Sequence, residues 1–215
     1  MKRIQEHLHW WLLGVLCAGT LLVWYAVVAE ERGGELTVAF LDVGQGDAIY
    51  IESPTGAQVV VDGGPDRSVV RQLGNMMPFY DRTIDMLVVT NPDKDHLAGF
   101  LDVLRAYLVG TLVEPGTVGA SAEYRALEAL AVERGVPKIL ARRGQKVALG
   151  GGAVLEVLFP DRDVSGLNPN EGSVIAKLSY GATSFLLTGD TTEAVEQYLV
   201  FLDGKRLDVD VLKAG

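Results

Sequence analysis

Residues 10–29 read WWLLGVLCAGTLLVWYAVVA, twenty positions without a charge. At about 1.5 Å of rise per residue, a helix of this length spans roughly 30 Å, the hydrocarbon thickness of a bilayer. Trp10, Trp11, Trp24 and Tyr25 sit towards its two ends, where interfacial aromatics are found. After a polar stretch at 30–35 the pattern changes to short apolar runs punctuated by turn residues. Residues 36–41, 48–51 and 58–61 are β-prone, and the first two flank Gly44-Gln45-Gly46, which predicts a hairpin. A short helix is expected at 68–77 and a buried strand at 84–89. Helical periodicity then runs from 93 to 108, followed by a brief strand at 111–113. A helix at 122–134 ends at Gly135. Strands return at 138–140, 145–147, 154–159, 174–180 and 184–187, then a helix at 192–202 and a last strand at 209–213. Two groups of short strands, each followed by helices, predict an α/β domain of two sheets covered by helices.

Lys2 and Arg3 precede the apolar run, so the positive-inside rule puts the N-terminus in the cytoplasm. A cleaved signal peptide is the competing reading, with Val27-Val28-Ala29 as the cleavage site. Its apolar region is usually about 7–15 residues, shorter than this one. The expected layout is a cytoplasmic segment at 1–9, a transmembrane helix at 10–29, a linker at 30–35 and an extracytoplasmic domain at 36–215. The protein is thus expected in the cell membrane as a single-pass chain. Cys17, the sole cysteine, lies inside the apolar run, so the domain has no internal disulfide. A net charge of -9 and a pI near 4.8 argue against a broad basic surface for nucleic acid.

The candidate chemistry lies in Asn91-Pro92-Asp93-Lys94-Asp95-His96, directly after an apolar run and carrying the one histidine beyond residue 9. Rigid elements often hold reactive groups in such loops. A structural reading stands beside the metal reading: Asn as helix cap, Pro at the first helical position, Asp93 and Asp95 against the positive helix end. Asp190 with Glu193 matches a capping box, and Asp62 before Gly63-Gly64 suits an Asx-turn. Gln45 and Asp47 fit either their own turn or the rim of a site. Lys94, Arg142 and Arg143 could face phosphates or simply be solvated.

Phe40-Leu41-Asp42-Val43-Gly44-Gln45-Gly46-Asp47-Ala48, Val61-Asp62-Gly63-Gly64, the block at 90–99 and Leu187-Thr188-Gly189-Asp190 occur in one order. Together they resemble the metallo-β-lactamase-fold domain of ComEC-type DNA-uptake proteins, over residues 36–215. The resemblance implies an αββα sandwich with a metal site where the two sheets meet, and hydrolysis with one or two metal ions. The family motif His-x-His-x-Asp-His falls on Asn91, Asp93, Asp95 and His96, so its last two positions match and its first two depart. Asp190 corresponds to an aspartate able to bridge two metals, and Asp62 to one that supports the ligands from beneath. Asn170 and Ser173 match an Asn-x-x-Ser element. A histidine-rich turn is expected after the strand at 209–213, where Gly215 stands, so the domain reads as C-terminally truncated.

The implied ligands are Asp93, Asp95, His96 and Asp190, with Asp95 and Asp93 as catalytic groups and Asn91, Asp62, Asp47, Asn170 and Ser173 in support. One imidazole among carboxylates is a harder donor set than a histidine cage, favouring Mn²⁺ or Mg²⁺, with Zn²⁺ as the other option. The expected function is a membrane-anchored metal-dependent hydrolase of phosphodiesterase or nuclease type, with DNA or another phosphodiester as substrate. The alternative is a catalytically weakened binding or assembly module of a DNA-uptake or surface complex. Full-length family members carry a many-helix channel domain, so conduction of DNA would fall to a separate channel protein.

Overall fold

The computed structural model describes the backbone of residues 2–30 and 34–215, and the side chains of residues 7, 9–26 and 34–215. Most of the expected linker lies outside the described residues, as do the side chains of Lys2, Arg3 and Val27-Val28-Ala29. The chain divides into two units, residues 1–35 and 36–215. Helix α1 (Lys2–Glu30) carries the stretch His9–Ala26, long and apolar enough to cross a membrane and unburied along its length. Cys17 is exposed on it.

In the second unit, six strands form one sheet in the order β1 (Thr37–Phe40), β2 (Ile49–Glu52), β3 (Gln58–Val61), β4 (Thr83–Val88), β5 (Leu108–Glu114), β6 (Lys138–Leu140). The first three pair antiparallel and β3 to β6 pair parallel. The other sheet runs β7 (Lys146–Gly150), β8 (Ala153–Phe159), β9 (Ile175–Tyr180), β10 (Thr183–Leu187), β11 (Val211–Lys213), with only β10 and β11 parallel.

Successive residues of a strand face opposite sides, and here both sides are apolar. Tyr50, Val60 and Leu87 pack outward against Val69 and Leu73 of α2 (Ser68–Met76), Phe100 and Leu104 of α4 (Phe100–Ala106) and Leu127 of α5 (Ala122–Glu133). Ile51, Val59, Val61 and Val88 point the other way, onto Leu155, Val157, Ala176 and Leu178 of the second sheet. Leu199 of α6 (Glu193–Asp203) closes the far side over Leu158, Ile175 and Leu186. The result is a helix–sheet–sheet–helix sandwich in which each such buried side chain contributes about 1.5–3 kcal/mol.

The helix expected over 93–108 is instead two pieces, α3 (Lys94–Leu97) and α4. Gly99 packs between them, where a Cβ would run into the carbonyls of Gly63 and Asp66. Its N–H donates to Gly64 O at 3.0 Å. Strand β5 begins at Leu108, whose N–H donates to Arg82 O at 2.7 Å, so pairing along β4 overrides helical periodicity there. The C-terminal ends of β3, β4, β10 and β11 meet at one edge of the sandwich. Val174 N–H donates across to Thr90 O at 2.8 Å and ties the two sheets together at that edge.

Candidate metal centre

Asp62 follows β3 directly and has left-handed backbone, φ 58°. That turn aims its carboxylate along the sheet towards the end of β4 rather than into a local Asx-turn. Oδ1 accepts from Thr90 N–H at 2.8 Å, and Oδ2 accepts from Thr90 Oγ1 at 2.6 Å and lies 2.9 Å from His96 Nδ1. Asp62 and His96 are each 1% exposed. A carboxylate behind Nδ1 orients the ring and presents Nε2 outward, the arrangement by which metal-binding histidines are held.

Nε2 lies 3.0 Å from Asp190 Oδ2, yet it has no aligned hydrogen bond and is fully buried. Asp190 reaches it from the turn after β10, where Gly189 (φ 56°) packs so closely that a Cβ would sit 2.9 Å from Thr90 Oγ1. Helix α6 is capped at Thr192, two residues beyond Asp190. The expected capping box therefore does not form, and the Asp190 carboxylate is turned to His96. Asp47 enters from the other side. Gly46 (φ 75°) lies against the backbone of Asp95 with no room for a Cβ, and this draws the Gly44-Gln45-Gly46 turn inward. Asp47 Oδ2 is 4.0 Å from His96 Nδ1 and has no aligned hydrogen bond of its own.

Asp47, Asp62 and His96 lie close enough together to share an ion. The oxygens of Asp62 are already occupied by Thr90 and the His96 ring, however, so its part is support. The faces left for a metal are Nε2 of His96 and Asp190, because Asp47 is set against the ammonium of Lys213. Burial of the His96 ring opposes protonation, but the bonds and charges of Asp62 and Asp190 outweigh it and raise its pKa to about 10. Burial raises Asp62 as well, against the pull of His96 and Thr90. Without metal the cluster therefore holds a proton where a metal would bind.

Asn91 does not reach this centre. Its Oδ1 accepts from Asp93 N–H at 2.7 Å and its Nδ2 donates to Asn170 Oδ1 at 2.6 Å, so both amide ends are engaged. Asn91 is thus an Asx-type support for the turn; the cap of α3 is Asp93. Ser173 is buried, and its hydroxyl donates to Pro169 O at 3.4 Å. Asp93 is exposed and Asp95 half-buried at the start of α3. Although the residue is exposed, partial desolvation of its carboxyl chiefly, then the charges of Asp95 and Asp190, raise the pKa of Asp93. Lys94 pairs with Glu123 at 3.1 Å. Arg142 donates to Pro115 O and Ala141 O, and Arg143 forks onto Asp203, so neither presents a free guanidinium.

Two residues given no role from the sequence belong to the site. Thr90 is the hinge of the Asp62 bonds. Lys213, at the end of β11, sets its ammonium against Asp47, 3.8 Å from Asp190 Oδ1. A lysine closing an apolar strand carries no local signal; only the register of β11 on β10, pairing Leu187 with Lys213, brings it here.

Over residues 41–213 the sequence matches the family described as the metallo-beta-lactamase superfamily. The chain belongs to that superfamily. Its members are as a rule hydrolytic metalloenzymes, and their fold binds divalent metals. The chain is 28% identical over 220 residues to ComE operon protein 3 of Bacillus subtilis (strain 168), covering 94% of this chain. It spans only 28% of that relative's length. Among solved structures it is similar to a Cronobacter sakazakii metallo-beta-lactamase with a HARLDQ motif, with TM-score 0.52 and 15% identity over 82% of this chain and 70% of that one. It is also similar to CmlA, a diiron beta-hydroxylase from Streptomyces venezuelae, with TM-score 0.51 and 17% identity over 83% of this chain and 34% of that one. At these identities the likeness is one of fold. The superfamily's metal fits the residues present, because Nε2 of His96 is a buried nitrogen whose ring is fixed from behind and which faces a carboxylate without an aligned hydrogen bond.

Proposed function

We propose that this chain is a membrane-tethered, metal-dependent hydrolase of phosphodiesters, with DNA among its substrates. The observation that carries the reading is His96, whose Nδ1 is locked by Asp62 while its buried Nε2, without an aligned hydrogen bond, faces Asp190 at 3.0 Å. His96 and Asp190 would hold the ion, with Asp93 and Asp95, from the turn that opens α3, as the other ligands. One imidazole among carboxylates favours Mn²⁺ or Mg²⁺ over Zn²⁺. A divalent ion bound here supplies Lewis acidity towards a phosphoryl oxygen and lowers the pKa of bound water. Asp93 and Asp95 stand on the turn beside His96, from which one carboxylate would take the proton of the attacking water and the other orient it. Helix α1 would act as an uncleaved anchor with residues 36–215 outside the cytoplasm. The relation to a ComE operon protein supports DNA as a substrate.

The test is turnover of a bis-aryl phosphodiester and of single-stranded DNA by the full chain with Mn²⁺ or Zn²⁺. Metal-dependent turnover should fall by about 10²–10⁴-fold in Asp95→Ala. Equal turnover in wild type and variant, or none dependent on metal, would contradict the reading.

Two observations favour a second reading, a non-catalytic binding or assembly module. The amide of Asn91 is fully engaged, and an ammonium already stands between Asp47 and Asp190. Retained single-stranded DNA binding without turnover would select it.

A further inference from the structure

Resting on the metal reading above, we propose that Lys213 restricts this centre to one divalent ion by supplying, as a fixed ammonium, the second positive charge. The two oxygens of Asp190 point to different places. Oδ2 lies 3.0 Å from His96 Nε2, and Oδ1 lies 3.8 Å from Lys213 Nζ. Asp47 closes the second position, its Oδ2 against the same ammonium. There are thus two cation positions on one bridging carboxylate: an imidazole–carboxylate position open to metal, and a carboxylate–carboxylate position already holding a charge.

The lysine is fixed rather than draped over the surface. Its side chain is 13% exposed. Its carbonyl accepts from Thr188 Oγ1 at 2.7 Å, and its Nζ donates to Gly189 O at 3.2 Å. Parallel pairing of β10 with β11 sets Lys213 opposite Leu187, three residues before Asp190. A lysine ammonium is a compact, strongly hydrated charge that leaves water only for close anionic partners. Here the partners are the two carboxylates that a second ion would need. A dication entering that position would meet a like charge at contact distance in a partly buried setting, where screening is weak. The Asn91 amide, turned onto Asp93 and Asn170, does not contribute there.

The experiment is Mn²⁺ titration of the full chain in detergent, with bound metal counted by elemental analysis and the ion's environment read by electron paramagnetic resonance. Wild type should bind one Mn²⁺ per chain and give the six-line spectrum of an isolated ion. Lys213→Met should bind two, the second at least about tenfold more tightly than any second ion on wild type, with the spectrum of a spin-coupled pair. Lys213→Arg keeps the charge and should restore single occupancy. If Lys213→Met does not fold, Lys213→Gln is read in the same way. One ion with unchanged affinity in both neutral variants overturns the proposal while leaving the metal reading intact. No ion on wild type or variants overturns both. Two tightly held ions on wild type overturn the proposal alone.

Discussion

Two of the networks of charge in the domain differ in what is left over. In one, Arg143 forks onto Asp203 at 2.8 and 2.6 Å and also donates to Leu158 O; Arg206 joins Asp203 at 3.0 Å and Glu156 at 2.9 Å. Both Asp203 oxygens are paired with guanidinium groups, and that network staples the end of α6 to the loop before β7. In the other, Asp62 is saturated and Asp47 is paired with Lys213, but Nε2 of His96 has no aligned hydrogen bond and the Asp190 carboxylate facing it is half-exposed. A saturated network holds structure. A network with buried donor atoms unspent has room for something else, and the unspent atoms show where.

The comparison breaks first if Asp62 and Asp203 behave alike. Asp62→Ala leaves Thr90 N–H and His96 Nδ1 buried without partners and is expected to cost about 3 kcal/mol of stability, read by urea unfolding. It should also weaken metal binding by about 10–100-fold. Asp203→Ala strands Arg143 and should cost about 3 kcal/mol as well, since one partner of a buried pair is removed. Its metal content should be unchanged. Loss of metal from Asp203→Ala would erase the distinction drawn here.

The two networks should also respond to opposite ends of the pH scale in metal-free protein. Arg143 holds the Asp203 carboxyl below its usual value of 3.8. Its folded pKa is lowered, so its contribution is present above about pH 4 and is lost as pH falls through the folded value. His96 is raised from 6.5 to about 10. The stability from its protonated ring is therefore fully present below about pH 6.5 and is lost as pH rises through about 10. Unfolding across pH of wild type against His96→Gln and Asp203→Asn separates the two. Because metal must displace the His96 proton, affinity for Mn²⁺ should fall by about tenfold for each unit of pH lowered between 9 and 7. The smallest effect is expected from Lys94→Ala. The exposed pair with Glu123 is screened by solvent, so unfolding and metal content should both be unmoved.

Much of the fold can be read from the chain because its strands are buried on both faces and bounded by turn residues. Val59-Val60-Val61 and Leu87-Val88 follow that rule. The segment after Asp93 does not, since helical periodicity gives no warning that Gly99 must pass between two carbonyls or that Leu108 pairs with the start of β4. At the site, His96, Asp62, Asp190 and Asp47 are visible in the ordered sequence blocks. Asn91 is expected in support and is found there, but how it supports the turn is hidden because its partner Asn170 is 79 residues away, and Asp190 looks like a cap because Glu193 follows at the right spacing. Lys213 is invisible from the sequence. Its meaning depends on strand register, which no local pattern encodes.

The central claim is that the unspent atoms around His96 hold a cation, and the most direct measurement is metal content of His96→Ala beside wild type after equilibration with Mn²⁺. The account predicts one retained ion on wild type and none on the variant, with both proteins folded by circular dichroism. Equal Mn²⁺ on both would contradict it.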